Sequence, residues 1–198
     1  MKRRIGFFGG TFDPIHFGHL TIAENAQKQL KLDQIIFLPS GIPPHKTKQI
    51  LTDKNIRRKM VEEAIAPFPA YSFSGYDLNK STPCYTIEML RYFKRSKLGK
   101  NSQFYFLMGE DSLINFATWY EADKISQYTV LAVYPRVNQN LLGTAFLKQD
   151  DFISINSPII KISSTEIRDR VCKGDDISGL VPAVIQNIIE EYNLYKNK

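Results

Sequence analysis

At 198 residues the chain has the length of one ample domain and is too short for a modular enzyme. With 43% hydrophobic and 23% charged residues it is too apolar for a disordered polymer. The 26 basic residues outnumber 20 acidic ones to leave +6, which suits an anionic partner without choosing among nucleic acid, membrane surface and a phosphate-rich small molecule.

Cys84 and Cys172 are the only cysteines, far apart and outside any C-x-x-C, so neither a disulfide framework nor a zinc cluster is indicated. The basic start, Lys2-Arg3-Arg4, is followed by too short an apolar run for a signal peptide. No stretch approaches the roughly 20 apolar residues of a membrane helix. The expectation is a cytoplasmic chain with no membrane partner, folded as a single domain over residues 1–198.

Residues 4–8 read as a buried strand closed by a tight turn at Gly9-Gly10. Leu20, Ala23, Ala26 and Leu30 mark one face of a helix beginning near Gly18 or His19, and residues 34–38 form a second strand, completing a βαβ unit. A Pro/Gly loop over 39–47 leads to a helix near 54–66 and a strand near 71–73. Residues 86–93 are predicted helical, 104–108 a strand, 111–125 a broken helix and 129–134 a strand. A helix near 140–147 precedes a short strand at 152–155, and helices over 164–172 and 182–192 close the chain, the last with Pro182 at its first helical position. Alternating strands and helices imply an α/β, Rossmann-like doubly wound parallel sheet with a C-terminal helical segment, whose ligands bind beyond the carboxyl ends of the strands.

The first such loop runs Gly9-Gly10-Thr11-Phe12-Asp13-Pro14-Ile15-His16-Phe17-Gly18-His19. It is neither a Walker A loop nor G-x-G-x-x-G. Paired glycines allow a close backbone approach to a ligand, and the following helix start offers amides and partial positive charge to an anion. His16 and His19, three residues apart at that start, can both donate to phosphate oxygens. The rival readings are a simple Asp-Pro chain reversal and a zinc site, the latter lacking a third ligand.

Further along, Pro43-Pro44 stiffen the approach to Lys46, which can project an ammonium toward phosphates or simply be solvated. Lys48, Lys54, Arg57, Arg58 and Lys59 read as a solvated helix face. Ser163-Ser164-Thr165-Glu166 reads as a capping box with Ser163 as N-cap and Glu166 at N3, and Arg168 lies one turn in. Read alone, Trp119 is a core aromatic and Asp111 an ordinary first-turn acid.

The whole string from Gly9 to His19 resembles the H-x-G-H signature of the nucleotidylyltransferase superfamily, and within it the loop of the bacterial nicotinate-nucleotide adenylyltransferases. Matches to that family continue in order through Pro43-Pro44-His45-Lys46, Tyr85-Thr86-Ile87, the G-x-D-x-L segment from Gly109 to Trp119, Ile162 to Arg168 as I-S-S-T-x-I-R, Val181-Pro182 and Leu194-Tyr195. Glu110, Phe116 and the order Tyr134-Pro135-Arg136 depart from the family pattern, and Arg136 is left out of the site for that reason.

The resemblance implies adenylyl transfer from ATP to nicotinate mononucleotide, releasing pyrophosphate. It implies His16, His19, Lys46 and Arg168 as catalytic residues, and Gly9, Gly10, Thr11, Phe12, Gly18, Asp111, Ser163, Ser164 and Thr165 as ATP-binding residues. Thr86, Trp119 and Tyr120 are implied at the nicotinate ring. Mg²⁺ is expected to arrive with ATP, since no acidic metal cage is evident. Small nucleotides, not nucleic acid, are the expected partners, and a homo-oligomer is left open. The alternatives are adenylyl transfer to nicotinamide mononucleotide or phosphopantetheine, or a catalytically dead nucleotide-binding or nucleic-acid-binding module.

Overall fold

The computed structural model describes residues 2–41, 51–135, 148–156, 158 and 161–196. Lys46 and the helix expected near 140–147 lie outside the described residues.

Among the described residues, six parallel strands form one sheet: β1 (Arg3–Gly10), β2 (Gln34–Pro39), β3 (Tyr71–Phe73), β4 (Ser102–Gly109), β5 (Val130–Tyr134) and β6 (Phe152–Ser154). Their order across the sheet is β3-β2-β1-β4-β5-β6. The chain therefore winds outward from β1 in one direction and then from β4 in the other. The switch point lies between the carboxyl ends of β1 and β4, where a doubly wound sheet opens a crevice.

Because side chains alternate across a strand, each central strand supplies two apolar layers, which is why these segments read as unbroken apolar runs. Ile35 and Phe37 of β2, with Tyr105 and Leu107 of β4, enter the layer covered by α1 (Phe17–Leu30), α2 (Lys54–Ile65), α6 (Ser164–Lys173) and α7 (Ala183–Glu191). Ile36 and Leu38, with Phe104, Phe106 and Met108, enter the opposite layer, covered by α3 (Thr86–Arg95), α4 (Glu110–Ile114) and α5 (Ala122–Ile125). Among the described residues no helix is long and apolar enough to cross a membrane.

Three local expectations are corrected. Gly9 and Gly10 are the last residues of β1, paired with Leu38 and Pro39, and do not form the turn. Helix α1 starts at Phe17 with His16 as its N-cap, and α7 starts at Ala183 with Pro182 in the cap position, one residue before its expected place. In both cases a polar or proline residue with extended ψ precedes the first helical residue, as caps require.

Candidate active site

A cavity of about 670 Å³ opens at the switch point. Its wall is built from the β1–α1 loop, the start of α3, the segment after β4 and the start of α6. Gly9, Gly10, Thr11, Phe12, His16 and His19 line it, as do Ser163, Ser164, Thr165 and Arg168, and Thr86, Asp111, Trp119 and Tyr120. Of the expected site residues that are described, only Gly18 is off the wall; it is buried in the first turn of α1.

The β1–α1 loop owes its path to Phe12, which adopts a left-handed backbone (φ 50°) although it is not glycine. That conformation costs about 1–2 kcal/mol. It places a fully buried ring in edge contact with Phe8 and His19, at centroid distances of 5.7 and 4.9 Å. A side chain at Gly10 would put its Cβ 2.9 Å from the Phe12 ring, so the second glycine makes room for the phenylalanine. Neither Gly9 nor Gly10 is required by a positive φ.

His16 and His19 stack with ring centroids 3.7 Å apart. The His16 backbone N–H donates to His19 Nδ1 at 3.3 Å, so His19 occupies the capping position usually held by Glu or Gln. A nitrogen that accepts carries no proton, and the neutral ring is thereby fixed with its proton on Nε2, as a donor. The Phe17 amide of the same helix start donates to Leu180 O at 3.0 Å, which ties it to the C-terminal segment.

The α6 start faces this loop. Ser163 caps the helix by accepting from Glu166 N at 3.1 Å. The Glu166 carboxylate does not complete the expected box: it pairs with Arg170 at 3.0 Å, because the i,i+4 partner gives it a charged contact on the helix surface. Ser164 Oγ donates to Pro14 O at 2.9 Å, and Arg168 Nη1 donates to Asp13 O at 2.7 Å while Nη2 reaches Thr165 Oγ1 at 3.2 Å. These side chains clamp the histidine loop by direct contact with its backbone.

On the far wall Thr86 is the first residue of α3, where the leading amides have no partner within the helix. Trp119 is half-buried against Phe106 and Phe116, at 5.9 and 5.4 Å between centroids, so it is both a packed aromatic and part of the wall. Tyr120 is 52% exposed and its ring meets Tyr85 at 4.9 Å. Arg91 on α3 holds Glu121 through two bonds of 3.0 and 2.8 Å, which joins this wall segment to the helix that carries Thr86. Asp111 folds back over Gly109, where a Cβ would lie 2.5 Å from its Oδ1. Among the described residues no group of three or more His, Cys, Asp or Glu is placed to hold a metal ion.

The comparisons with known proteins agree with this architecture. A family model described as cytidylyltransferase-like matches residues 7–170. A probable nicotinate-nucleotide adenylyltransferase of Clostridium tetani is 41% identical, the match covering 99% of this chain and 100% of that protein. A second, from Clostridium botulinum, is 40% identical with the same coverage of both. The chain belongs to the nicotinate-nucleotide adenylyltransferase family. At the level of fold, the Plasmodium falciparum nicotinic acid mononucleotide adenylyltransferase complexed with NaAD is similar, with a TM-score of 0.76, 22% identity and coverage of 99% of this chain and 98% of that one.

Three residues of the site in this member of the family escaped the sequence reading. Arg57, expected on a solvated face, is 2% exposed, and its guanidinium donates to Thr11 O at 3.0 Å, Ser40 O at 2.7 Å and Thr52 O at 3.0 Å. Burial pulls its pKa below the usual arginine value, opposed by the nearby Asp13 charge. The helical register held the signal: Arg57 precedes Met60 and Val61 by three and four residues, on the apolar stripe of α2. Asp13, also 2% exposed, accepts from Tyr195 Oη at 2.6 Å and from Thr52 N at 3.1 Å. Asp77 lines the cavity with Oδ1 buried and without a hydrogen-bond partner, and desolvation raises its pKa to about 6.

Proposed function

We propose that this protein transfers the adenylyl group of ATP to nicotinate mononucleotide, forming deamido-NAD and pyrophosphate. The observation that carries this reading is convergence. Residues from four separate parts of the chain, picked out by family motif, line one cavity at the carboxyl ends of β1 and β4, and three helix starts (α1, α3 and α6) contribute to its wall. Helix starts favour anions, and the two substrates bring phosphates and a carboxylate.

The chemistry asks little of the protein covalently. A phosphate oxygen of the mononucleotide attacks the α-phosphorus of ATP, the bond from that phosphorus to the bridging oxygen breaks, and pyrophosphate leaves with the bond pair. The nucleophile is already an anion, so no general base is needed, and rate comes from in-line placement and neutralisation of charge. His16 and His19 supply oriented donors at the α-phosphate; Lys46, seven positions beyond the last residue of β2 in sequence, adds charge toward the leaving pyrophosphate. Gly9, Gly10, Thr11, Phe12 and Gly18 shape the nucleotide cradle, Asp111 is assigned to the nucleotide sugar, and Ser163, Ser164 and Thr165 offer hydroxyls and amides to phosphate. Arg168 has two roles, since it already holds the loop at Asp13 O and lines the cavity. Mg²⁺ arriving with the nucleotide would supply charge neutralisation on its phosphates.

At the other end, Trp119 stacks on the pyridine ring, and Thr86 with the α3 amides and the backbone near Tyr120 meets the carboxylate. A site composed of donors accepts a carboxylate and leaves the NH₂ of a carboxamide unpaired, which costs about 1–3 kcal/mol per buried group. The test is pyrophosphate release from ATP with nicotinate mononucleotide, nicotinamide mononucleotide or phosphopantetheine as acceptor. Release that depends on the nicotinate compound supports the reading, and release with phosphopantetheine alone overturns it.

A further inference from the structure

We propose that Tyr195, acting through the buried Asp13, is a positioning residue for the His16–His19 pair. The inference rests on the adenylyl-transfer reading for its kinetic consequence, but its structural content stands apart from the substrate.

Tyr195 follows α7, close to the end of the chain, and is not on the cavity wall. Its neighbour Leu194 is fixed by a backbone bond to Ile189 O at 2.9 Å, and both residues pack against the same apolar layer as α1 and α2. Its phenol donates to Asp13 Oδ1 at 2.6 Å across 182 positions of sequence. Burial and the adjacent Asp13 charge push the phenol pKa up, so it stays a donor across the working pH range.

Asp13, next to Phe12, is a second point at which the histidine loop is held. Thr52 N donates to its second oxygen at 3.1 Å, and Arg168 Nη1 holds its carbonyl at 2.7 Å. The buried Arg57 holds Thr11 O, two residues earlier, at 3.0 Å. Three residues later comes His16, whose N–H sets the His19 tautomer. Removing the Tyr195 hydroxyl frees one carboxylate oxygen to swing, and Asp13 and the His16 amide move together on a short loop. In-line transfer loses about a hundredfold in rate for a misplacement of about 1 Å, so the loss falls on turnover more than on binding.

The test uses the full chain and the variants Tyr195→Phe and Asp13→Asn, with three readouts. The first is kcat and KM for both substrates, the second is Tm, and the third is the ring ¹⁵N spectrum of His19 in the free protein. The expected result is a fall in kcat of about tenfold or more in each variant, with KM values within about twofold. In the unmodified protein His19 gives one unprotonated Nδ1 and one protonated Nε2 resonance, and in the variants the two move toward each other as the tautomers exchange. An unchanged kcat, or unmoved His19 resonances, would overturn the proposal whatever happens to Tm. If the unmodified protein fails to turn over any pyridine mononucleotide, the functional reading falls, and the His19 spectra still decide whether Tyr195 sets the ring.

Discussion

Replacing Asp77 with asparagine should stabilise the protein at neutral pH and do almost nothing in acid. Asp77 sits at the cavity edge with Oδ1 buried and unpartnered, and desolvation raises its pKa from an ordinary 3.8 to about 6, against a smaller opposing pull from Lys80. The native state therefore holds a proton that the unfolded chain has released between those two values, so stability falls as pH rises from about 4 to about 6 and is level above. A shift of about two units at 1.36 kcal/mol per unit makes the ionised carboxyl cost about 3 kcal/mol at pH 8. Asp77→Asn removes that cost while keeping the shape. At about 2–4 °C per kcal/mol for a chain of this size, Tm at pH 8 should rise by about 6–12 °C. Well below 3.8, at about pH 3, the carboxyl is protonated in both states and the gain disappears. Paired thermal or urea unfolding of the two proteins at pH 8 and at about pH 3 reads this directly. Equal differences at both pH values, or a destabilised variant at pH 8, would refute the desolvation argument.

Further outcomes follow from the site. His19→Ala should lower kcat by about a hundredfold, the scale of one oriented donor at about 3 kcal/mol, with a smaller effect on Tm because the ring is only half-buried; near-normal turnover at unchanged Tm would contradict its role. Trp119→Ala should weaken nicotinate and nicotinamide mononucleotides alike, whereas Thr86→Val should narrow the ratio between them, both read as kcat/KM; a Thr86→Val ratio equal to that of the unmodified protein would remove Thr86 from the discrimination. Arg91 and then Lys124 hold the Glu121 carboxyl at about 2, below its ordinary 4.5. Its contribution to stability is present above about 4.5 and lost as pH falls through about 2, so Glu121→Gln should flatten that part of the acid-unfolding curve. An acid limb with the same slope in both proteins would show that the pair carries no stability.

The sheet was legible because its strands are buried on both faces and its helices are amphipathic. Ile35-Ile36-Phe37-Leu38 feeds two apolar layers, and Leu20, Ala23, Ala26 and Leu30 feed one. The cavity wall was legible because many of the residues that line it cluster in short motifs after β1, at the start of α3, after β4 and at the start of α6. What was not legible depends on tertiary partners. The Gly9-Gly10 pair gives no hint of its reason, since the Phe12 ring over Gly10 is set by a backbone turn two residues away. Tyr195 and Asp13 meet across nearly the whole chain, and nothing local to either predicts the pairing. Arg57 was misplaced because its charge outweighed its position on the apolar stripe; a register reading of α2 puts it inside. Asp77 carries no motif, and its perturbation comes chiefly from burial of its carboxyl by the fold, with a smaller push from the Glu88 charge.

The most direct measurement is identification of the dinucleotide formed when the unmodified protein is given ATP with nicotinate or nicotinamide mononucleotide in separate reactions. Donor groups at the carboxylate end, with two mispaired groups at about 1–3 kcal/mol each, predict deamido-NAD as the product and an efficiency ratio of about a hundredfold or more over the nicotinamide substrate. Comparable efficiencies on the two mononucleotides, or no dinucleotide from either, would contradict it.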